Sequence, residues 1–272
     1  MLDSTPKIHL PILRSKLSPP LGGRYLVLRD RLNGWLETDG LPRVIVARAP
    51  AGFGKSTLMV QWYRILQHRG SQVAWISLEE AENDPGQFLA YLVASLQMGI
   101  PGLRLAESVS DPMGSGGGTQ GTILYLVDKL SELSGPFTLF LDDFDVISNE
   151  VVLKLVQQLI NYLPSGNRLV IGLRQSPALG LAKMEATGEL LEIGIEDLRF
   201  TREESSHFLR QIPDLVIDEH DINNIQNSME GWIAGLQLTT ISTWRENPKD
   251  FIRISTKSFR ASSAARLLPY GE

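Results

Sequence analysis

The chain has 272 residues, 43% of them hydrophobic and 21% charged, with a formal net charge of −5 at pH 7. Such a length buries a sizeable core in one large domain or in a domain with a smaller appendage, and the absence of cysteine excludes disulfides, thiolate metal sites and a cysteine nucleophile. No apolar run approaches the ~18 residues that span a bilayer, MLDSTPKIHLPILRSK lacks a signal-peptide block, and the acidic balance leaves no footprint for nucleic acid, so the reading is a cytoplasmic protein without membrane or direct DNA contact.

The first element is VIVA at 44–47, a short apolar run rich in β-branched residues. Four more such runs follow: VAWISL at 73–78, FTLFL at 137–141, RLVIGL at 168–173 and ELLEIGI at 189–195. They read as buried strands. Between them lie stretches of helical period, among them Ser56 to His68 and Pro85 to Leu96. In the second, Phe88, Leu92 and Leu96 share a face, Asp84 supplies the N-cap and Pro85 the first helical position. The Gly-rich stretch from Ser110 to Gly121 reads as a surface loop, because no Lys-Ser pair follows it at once. Strands alternating with helices imply an α/β fold, a parallel sheet flanked by helices on both faces.

After Asp197 the pattern is helical only. Thr201 and Glu204 form a capping-box signature ahead of Phe208 and Leu209, and one helix is expected from Ile222 to Ile241, carrying Ile225, Met229, Trp232, Leu236 and Leu238. The expected organisation is an N-terminal extension over 1–30, an α/β domain over 31–197, a small helical domain over 198–245 and a loosely ordered tail over 246–272. The four histidines (His9, His68, His207, His220) are scattered without ligand spacing, which argues against zinc.

The stretch APAGFGKST, from Ala49 to Thr57, sits directly after the first apolar run and before the first helix. Gly52 and Gly54 remove the Cβ atoms that would stop the backbone closing round a phosphate, Lys55 reaches the terminal phosphates, and the Ser56 hydroxyl completes Mg²⁺ coordination. Ala49 stands where the pattern G-x-x-x-x-G-K-[ST] has its first glycine. From average usage, G-x-G-K-[ST] arises by chance in about one chain in a hundred of this length. The candidate nucleotide-binding set is therefore Ala51, Gly52, Phe53, Gly54, Lys55, Ser56 and Thr57.

A phosphate loop holds its metal with the help of an acid at the end of another buried strand. FTLFLDD supplies Asp142, placed to hold the Mg²⁺ shell, and Asp143, placed to orient or deprotonate an attacking water. Taken alone, an Asp-Asp pair after a strand also reads as a solvated turn. Arg174, which ends RLVIGL, reads either as a sensor of the γ-phosphate, through its planar fork, or as a surface arginine.

APAGFGKSTLMVQW, VAWISLEEAENDPGQFLAYLVASLQ, LFLDDFDVI, LEIGIEDLRFTREESSHFL and MEGWIAGLQL occur here in the order found in the MalT-like, large LuxR-type transcriptional regulators. The chain resembles that family from about Ile12 to about Ser242. The family is part of the STAND class of signalling P-loop ATPases, and alanine at position 49 is its usual residue. The resemblance implies a P-loop NTPase core with a five-stranded parallel sheet, followed by an all-helical lid. It implies ATP or ADP as ligand, Lys55 on the phosphates, Ser56 and Asp142 on Mg²⁺, Asp143 and Arg174 at catalytic and sensor positions, and Val27 and Arg29 of VLRDRL against the base. Ile233 falls where the lid motif usually has a proline that packs on adenine, and Leu173 falls where a serine is common. Family members continue into inducer-binding repeats and a DNA-binding helix-turn-helix, so this chain is expected to be the ATPase module alone.

The expected function is a switch: ADP holds a closed monomer, ATP with an inducer favours an open, self-associating form, and slow hydrolysis resets it. One rival is a metabolic P-loop enzyme such as a small-molecule kinase, which would turn ATP over quickly with a single acceptor. The other is an interaction module with a dead site, whose behaviour would not change on replacing Lys55.

Overall fold

All five apolar runs are strands of a single sheet. The computed structural model describes residues 12–23, 25–38, 40–105, 118–133, 135–175, 179–213, 215 and 217–238. In it β1 (Val44–Arg48), β2 (Gln72–Ser77), β3 (Phe137–Asp142), β4 (Arg168–Leu173) and β5 (Leu190–Ile193) lie in the order β2-β3-β4-β1-β5. Every pairing is parallel, with Val44 opposite Leu169 and Gln72 opposite Phe137. Strands buried on both faces have no polar alternation, and β3 is buried at all six positions. β5 is shorter than the expected 189–195 because Ile195 already opens a short helix, with the Asp197 carboxylate accepting the Gly194 N–H at 2.9 Å.

The helices in chain order are α1 (Asp30–Asn33), α2 (Lys55–His68), α3 (Pro85–Gly99), α4 (Gly118–Ser131), α5 (Glu150–Tyr162), α6 (Ala182–Ala186), α7 (Ile195–Leu198), α8 (Arg202–Arg210) and α9 (Glu219–Met229), with one more turn-and-a-half at 233–238. The polypeptide divides into two compact units. One joins the N-terminal stretch up to Leu21 with Thr38–Arg48 and Met59–Ile193; the other joins Gly22–Glu37, Ala49–Leu58 and the chain from Gly194 onward.

The first unit holds the sheet. Trp75 of β2 stacks on Phe140 of β3 at 5.6 Å between ring centroids, and Tyr63 of α2 meets both rings edge-on at 6.0 and 5.8 Å. Trp75 and Phe140 are fully buried, so truncating either to alanine costs about 3–5 kcal/mol. α3 starts as its sequence dictates: Asp84 accepts the Gln87 N–H at 2.8 Å and Pro85 opens the helix. The last residue of α3 is Gly99, where a Cβ would lie 2.1 Å from the Val73 carbonyl oxygen, so only glycine lets the helix end pack this close to β2. Much of the Gly-rich stretch read as loop, residues 106–117, lies outside the described residues, and its end is a correction: α4 is already helical from Gly118. α5 is capped by Asn149, whose side chain accepts the Val151 N–H at 2.8 Å, and buries Val152, Leu155, Val156, Leu159 and Ile160.

The second unit has its own core of Val27, Phe200, Phe208, Leu209, Ile222, Ile225, Met229 and Leu236. The capping box at the start of α8 forms as read, with Glu204 N–H to Thr201 Oγ1 at 3.2 Å and Thr201 N–H to Glu204 Oε2 at 2.9 Å. The single helix expected from Ile222 is broken. Glu230 (φ 48°) and Gly231 (φ 73°) turn left-handed after α9, and helix resumes only at 233. The cause is tertiary: Gly231 presses on the Phe200 backbone, where a Cβ would lie 2.5 Å from the Phe200 carbonyl oxygen, and its own carbonyl accepts the Phe200 N–H at 3.0 Å. Leu238, expected on the apolar face, is 61% exposed. The tail assigned to 246–272 lies outside the described residues.

Candidate functional site

The loop between β1 and α2 has the backbone a phosphate cradle needs. Gly52 (φ 85°) and Gly54 (φ 83°) are both left-handed, a conformation glycine adopts without steric cost. Ala49 is almost wholly buried, so a methyl group fits where the general pattern has glycine. The Gly54 carbonyl accepts the Leu58 N–H at 2.9 Å, which starts α2 and leaves the N–H groups of its first turn, including Ser56 and Thr57, at the positive end of a helix. Lys55, 7% exposed, bends back over the loop and donates from Nζ to the carbonyls of Ala49 at 2.7 Å and Pro50 at 3.2 Å.

Within the same unit the segment after α9 meets the loop. The Ala234 N–H donates to the Gly52 carbonyl at 2.9 Å and the Trp232 indole N–H to the Ala51 carbonyl at 3.4 Å. A side chain at Gly52 has no room there, and one at Gly54 would have to push the end of the Ile233 side chain aside. A Cβ on Gly52 would lie 2.5 Å from Ala234 Cβ, and one on Gly54 would lie 2.7 Å from Ile233 Cδ1.

Val27, Arg29, Gly54, Thr57 and Ile233, five of the residues read from the sequence, line one cavity together with Tyr25, Phe200, Phe208 and Gln237. The cavity is small, about 30 Å³, and its lining mixes the apolar Val27, Phe200, Phe208 and Ile233 with the polar Arg29, Thr57 and Gln237. Ala51, Phe53, Lys55 and Ser56 lie on the adjoining loop and helix turn of the same unit.

Arg29 is 2% exposed and does structural work at this cavity's wall. Its Nε donates to Glu204 Oε1 at 3.0 Å, and its Nη2 to the carbonyls of Asp197, Leu198 and Arg199 at 3.2, 2.8 and 3.1 Å. The guanidinium thus caps the C-terminal end of α7 while Phe200 covers its face at 5.0 Å. Burial pushes the Arg29 pKa below its ordinary value, Glu204 opposes that, and the neighbouring Arg31 charge adds to it. Sequence reasoning found Glu204 as a capping residue and missed this second use of its carboxylate.

Asp142, Asp143 and Arg174 belong to the first unit. Asp142 ends β3, is 2% exposed, and faces β4 where Gly172 leaves space; a Cβ on Gly172 would lie 2.9 Å from Asp142 Oδ1. Asp143 is left-handed (φ 55°, ψ 39°), one of the two non-glycine residues with positive φ among those described. Aspartate tolerates that region better than most side chains, and strain of this kind clusters at working sites. Arg174 is 55% exposed and tied to Asp145, whose Oδ1 accepts its backbone N–H at 3.2 Å and whose Oδ2 lies 3.4 Å from its Nε. The sequence reading did not single out Asp145. Among the described residues no group of three or more His, Asp or Glu side chains is arranged to hold a metal.

No protein-family model matches the chain. Over 259 residues, 95% of its length, it is 29% identical to the HTH-type transcriptional regulator MalT of Yersinia enterocolitica and to that of Serratia proteamaculans. The chain is thus similar in sequence to MalT regulators. The chain spans 28% of the length of these MalT proteins. Among solved structures, Cdc6p from Pyrobaculum aerophilum matches with a TM-score of 0.53 at 12% identity, over 89% of this chain and 70% of that one. The replication initiator DnaA, solved with AMPPCP and single-stranded DNA, matches with a TM-score of 0.50 at 15% identity, over 84% and 63%. The fold is therefore that of P-loop NTPases, and the MalT likeness runs through both units. No helix among the described residues is long and apolar enough to cross a membrane.

Proposed function

We propose that the chain is an adenine-nucleotide-operated regulatory module, a slow ATPase whose bound nucleotide sets the state of a MalT-like transcriptional regulator. The observation that carries this reading is the loop Ala49–Gly54 with two left-handed glycines and Lys55 at its end, opening α2 beside a small cavity lined by Val27, Thr57 and Ile233. In this reading the amides of Ala51, Gly52, Phe53 and Gly54 and the ammonium of Lys55 take the phosphates, and Ser56 and Thr57 complete the helix-terminal site. Val27, Ile233 and the wall that Arg29 supports receive the base. Ser56 and Asp142 are the residues that would hold Mg²⁺, which would supply positive charge to the phosphates; Asp143 orients the attacking water, and Arg174 responds to the γ-phosphate once it leaves Asp145. The kinship to MalT and the nucleotide analogue on DnaA support the ligand class.

The switch itself is part of the proposal: ADP with the closed monomer, ATP with a self-associating form, in the cytoplasm. Moving a two-state equilibrium from mostly closed to mostly open takes about 5.5 kcal/mol of differential binding, which argues for a second effector beside the nucleotide. No residue here is assigned to DNA, in keeping with the net charge of −5. The test is direct. Purified protein is denatured, its supernatant analysed for adenine nucleotides, and the protein titrated with ATP and ADP. Retention or micromolar binding that Lys55→Ala abolishes supports the module; no nucleotide and no binding rejects it.

A further inference from the structure

Four successive carbonyls of the loop, at Ala49, Pro50, Ala51 and Gly52, are each taken by a donor. Lys55 Nζ serves the first two, at 2.7 and 3.2 Å. The other two are served by the segment after α9: the Trp232 indole N–H reaches the Ala51 carbonyl at 3.4 Å, and the Ala234 backbone N–H reaches the Gly52 carbonyl at 2.9 Å. A peptide unit is planar and trans, so its carbonyl and the N–H of the next residue point in opposite directions. Fixing the Ala51 carbonyl therefore fixes the Gly52 N–H, and fixing the Gly52 carbonyl fixes the Phe53 N–H. Both amides are directed away from the segment that holds the carbonyls.

We propose that Trp232 and Ala234 are positioning residues for the phosphate-binding loop, holding its carbonyls so that the Gly52 and Phe53 amides stay aimed at phosphate oxygens. This rests on the nucleotide reading above and adds to it the part of the lid that sets phosphate affinity. The donors divide by what a ligand does to them. Phosphate draws the Lys55 ammonium off the Ala49 and Pro50 carbonyls, whereas the donors at Trp232 and Ala234 carry no charge and stay. The loop glycines answer to the same contact. With the segment seated, a Cβ on Gly52 would lie 2.8 Å from Trp232 Nε1 as well as 2.5 Å from Ala234 Cβ, so the loop is shaped to accept this segment.

The test separates phosphate from base. The affinities of the 272-residue chain for ADP and for adenosine are measured by calorimetric competition, beside thermal melting, for wild type and Trp232→Phe, which keeps an aromatic ring and deletes the donor. Loss of one neutral hydrogen bond predicts ADP binding about three- to tenfold weaker, with adenosine within about twofold of wild type. Ala234→Pro, which deletes the other donor in the first turn of a helix where proline is tolerated, should shift the ADP-to-adenosine ratio the same way. It decides the matter if Trp232→Phe does not fold. An unchanged ratio, or equal loss of both ligands, overturns the proposal while the nucleotide reading stands. Wild-type protein that binds neither ligand overturns the nucleotide reading, and this inference with it.

Discussion

Arg29 and Glu204 meet through a 3.0 Å hydrogen bond between Nε and Oε1, and each end of that bond has a second task. The other carboxylate oxygen of Glu204 takes the Thr201 N–H that starts α8, while Nη2 of Arg29 takes three carbonyls at the end of α7. One buried ion pair thus joins the stretch before α1 to two helix termini of the second unit. Arg29→Ala leaves Glu204 with Arg31, whose Nε lies 3.3 Å from Oε1, but removes the donor at the Leu198 carbonyl and should destabilise by about 1–3 kcal/mol in urea denaturation. Glu204→Gln, which keeps a side-chain acceptor but not enough oxygens for both tasks, should cost about 1–3 kcal/mol. Equal stability of Arg29→Ala and wild type would show that the cage carries no load.

Gly52 and Gly34 make a matched pair for a second test. Gly52 is left-handed (φ 85°) with no room for a methyl, whereas Gly34 has ordinary helical angles (φ −59°, ψ −22°) and nothing within 4 Å of a Cβ. Gly52→Ala pays about 1–2 kcal/mol for its backbone and then displaces Ala234, so nucleotide binding should fall below detection. Gly34→Ala should gain about 0.4–1 kcal/mol through the unfolded chain and bind nucleotide like wild type. Melting and ADP titration of both proteins read the contrast.

What could be read without the fold follows from the range of each interaction. The strands were legible because a parallel strand covered on both faces must be apolar throughout, and the phosphate loop because Gly52, Gly54, Lys55 and Ser56 act within five residues. α5 carried a clear signal that was not read: Val152, Leu155, Val156, Leu159 and Ile160 recur at helical spacing behind the Asn149 cap. The break at Glu230 and Gly231 carried only one local signal, the glycine itself, which also occurs inside helices. Apolar spacing continues across it, and the turn is imposed by the backbone of Phe200, about thirty residues upstream. Arg29 could be placed at the site by likeness alone, but its partners lie 168 to 175 positions along the chain, so its structural task was invisible.

Lys16 and Glu82 form a buried pair in the first unit, at 2.5 Å and with 6% and 0% exposure. Burial works against the Lys16 ammonium, yet the hydrogen bond and charge of Glu82, with help from Glu79, outweigh it and raise the pKa above 10.5. A group raised in the folded state gives its full stabilisation below the unfolded value and loses it as pH climbs through the folded one. The window therefore lies above pH 10.5. Lys16→Met strands the Glu82 carboxylate and should cost about 3–5 kcal/mol at pH 7. Urea midpoints at pH 9 and pH 11 should then show a smaller alkaline loss in the variant than in wild type. An identical loss in both would remove Lys16 from the account.

Gly172 offers a way to reach the proposed metal carboxylate without touching it. A methyl at this position of β4 would lie 2.7 Å from Met59 Sδ and 2.9 Å from Asp142 Oδ1. The thioether is flexible and gives way cheaply, whereas the carboxylate has to rotate or move, taking its oxygen from the place it occupies beside β4. Gly172 lies within a strand, at no left-handed angle, so alanine there strains no backbone. Gly172→Ala should therefore melt within a few degrees of wild type and still bind ADP without added metal. Its Mg²⁺-dependent gain in ATP affinity should fall about 10–100-fold, the scale on which misplaced ligands weaken a metal site. Asp142→Asn should reproduce that loss, since it removes the charge and leaves the shape. Titration of ATP with and without Mg²⁺ on the three proteins decides the point. A full Mg²⁺ response in Asp142→Asn would take the carboxylate out of the metal shell, and a full response in Gly172→Ala alone would show that Met59, not Asp142, absorbs the methyl.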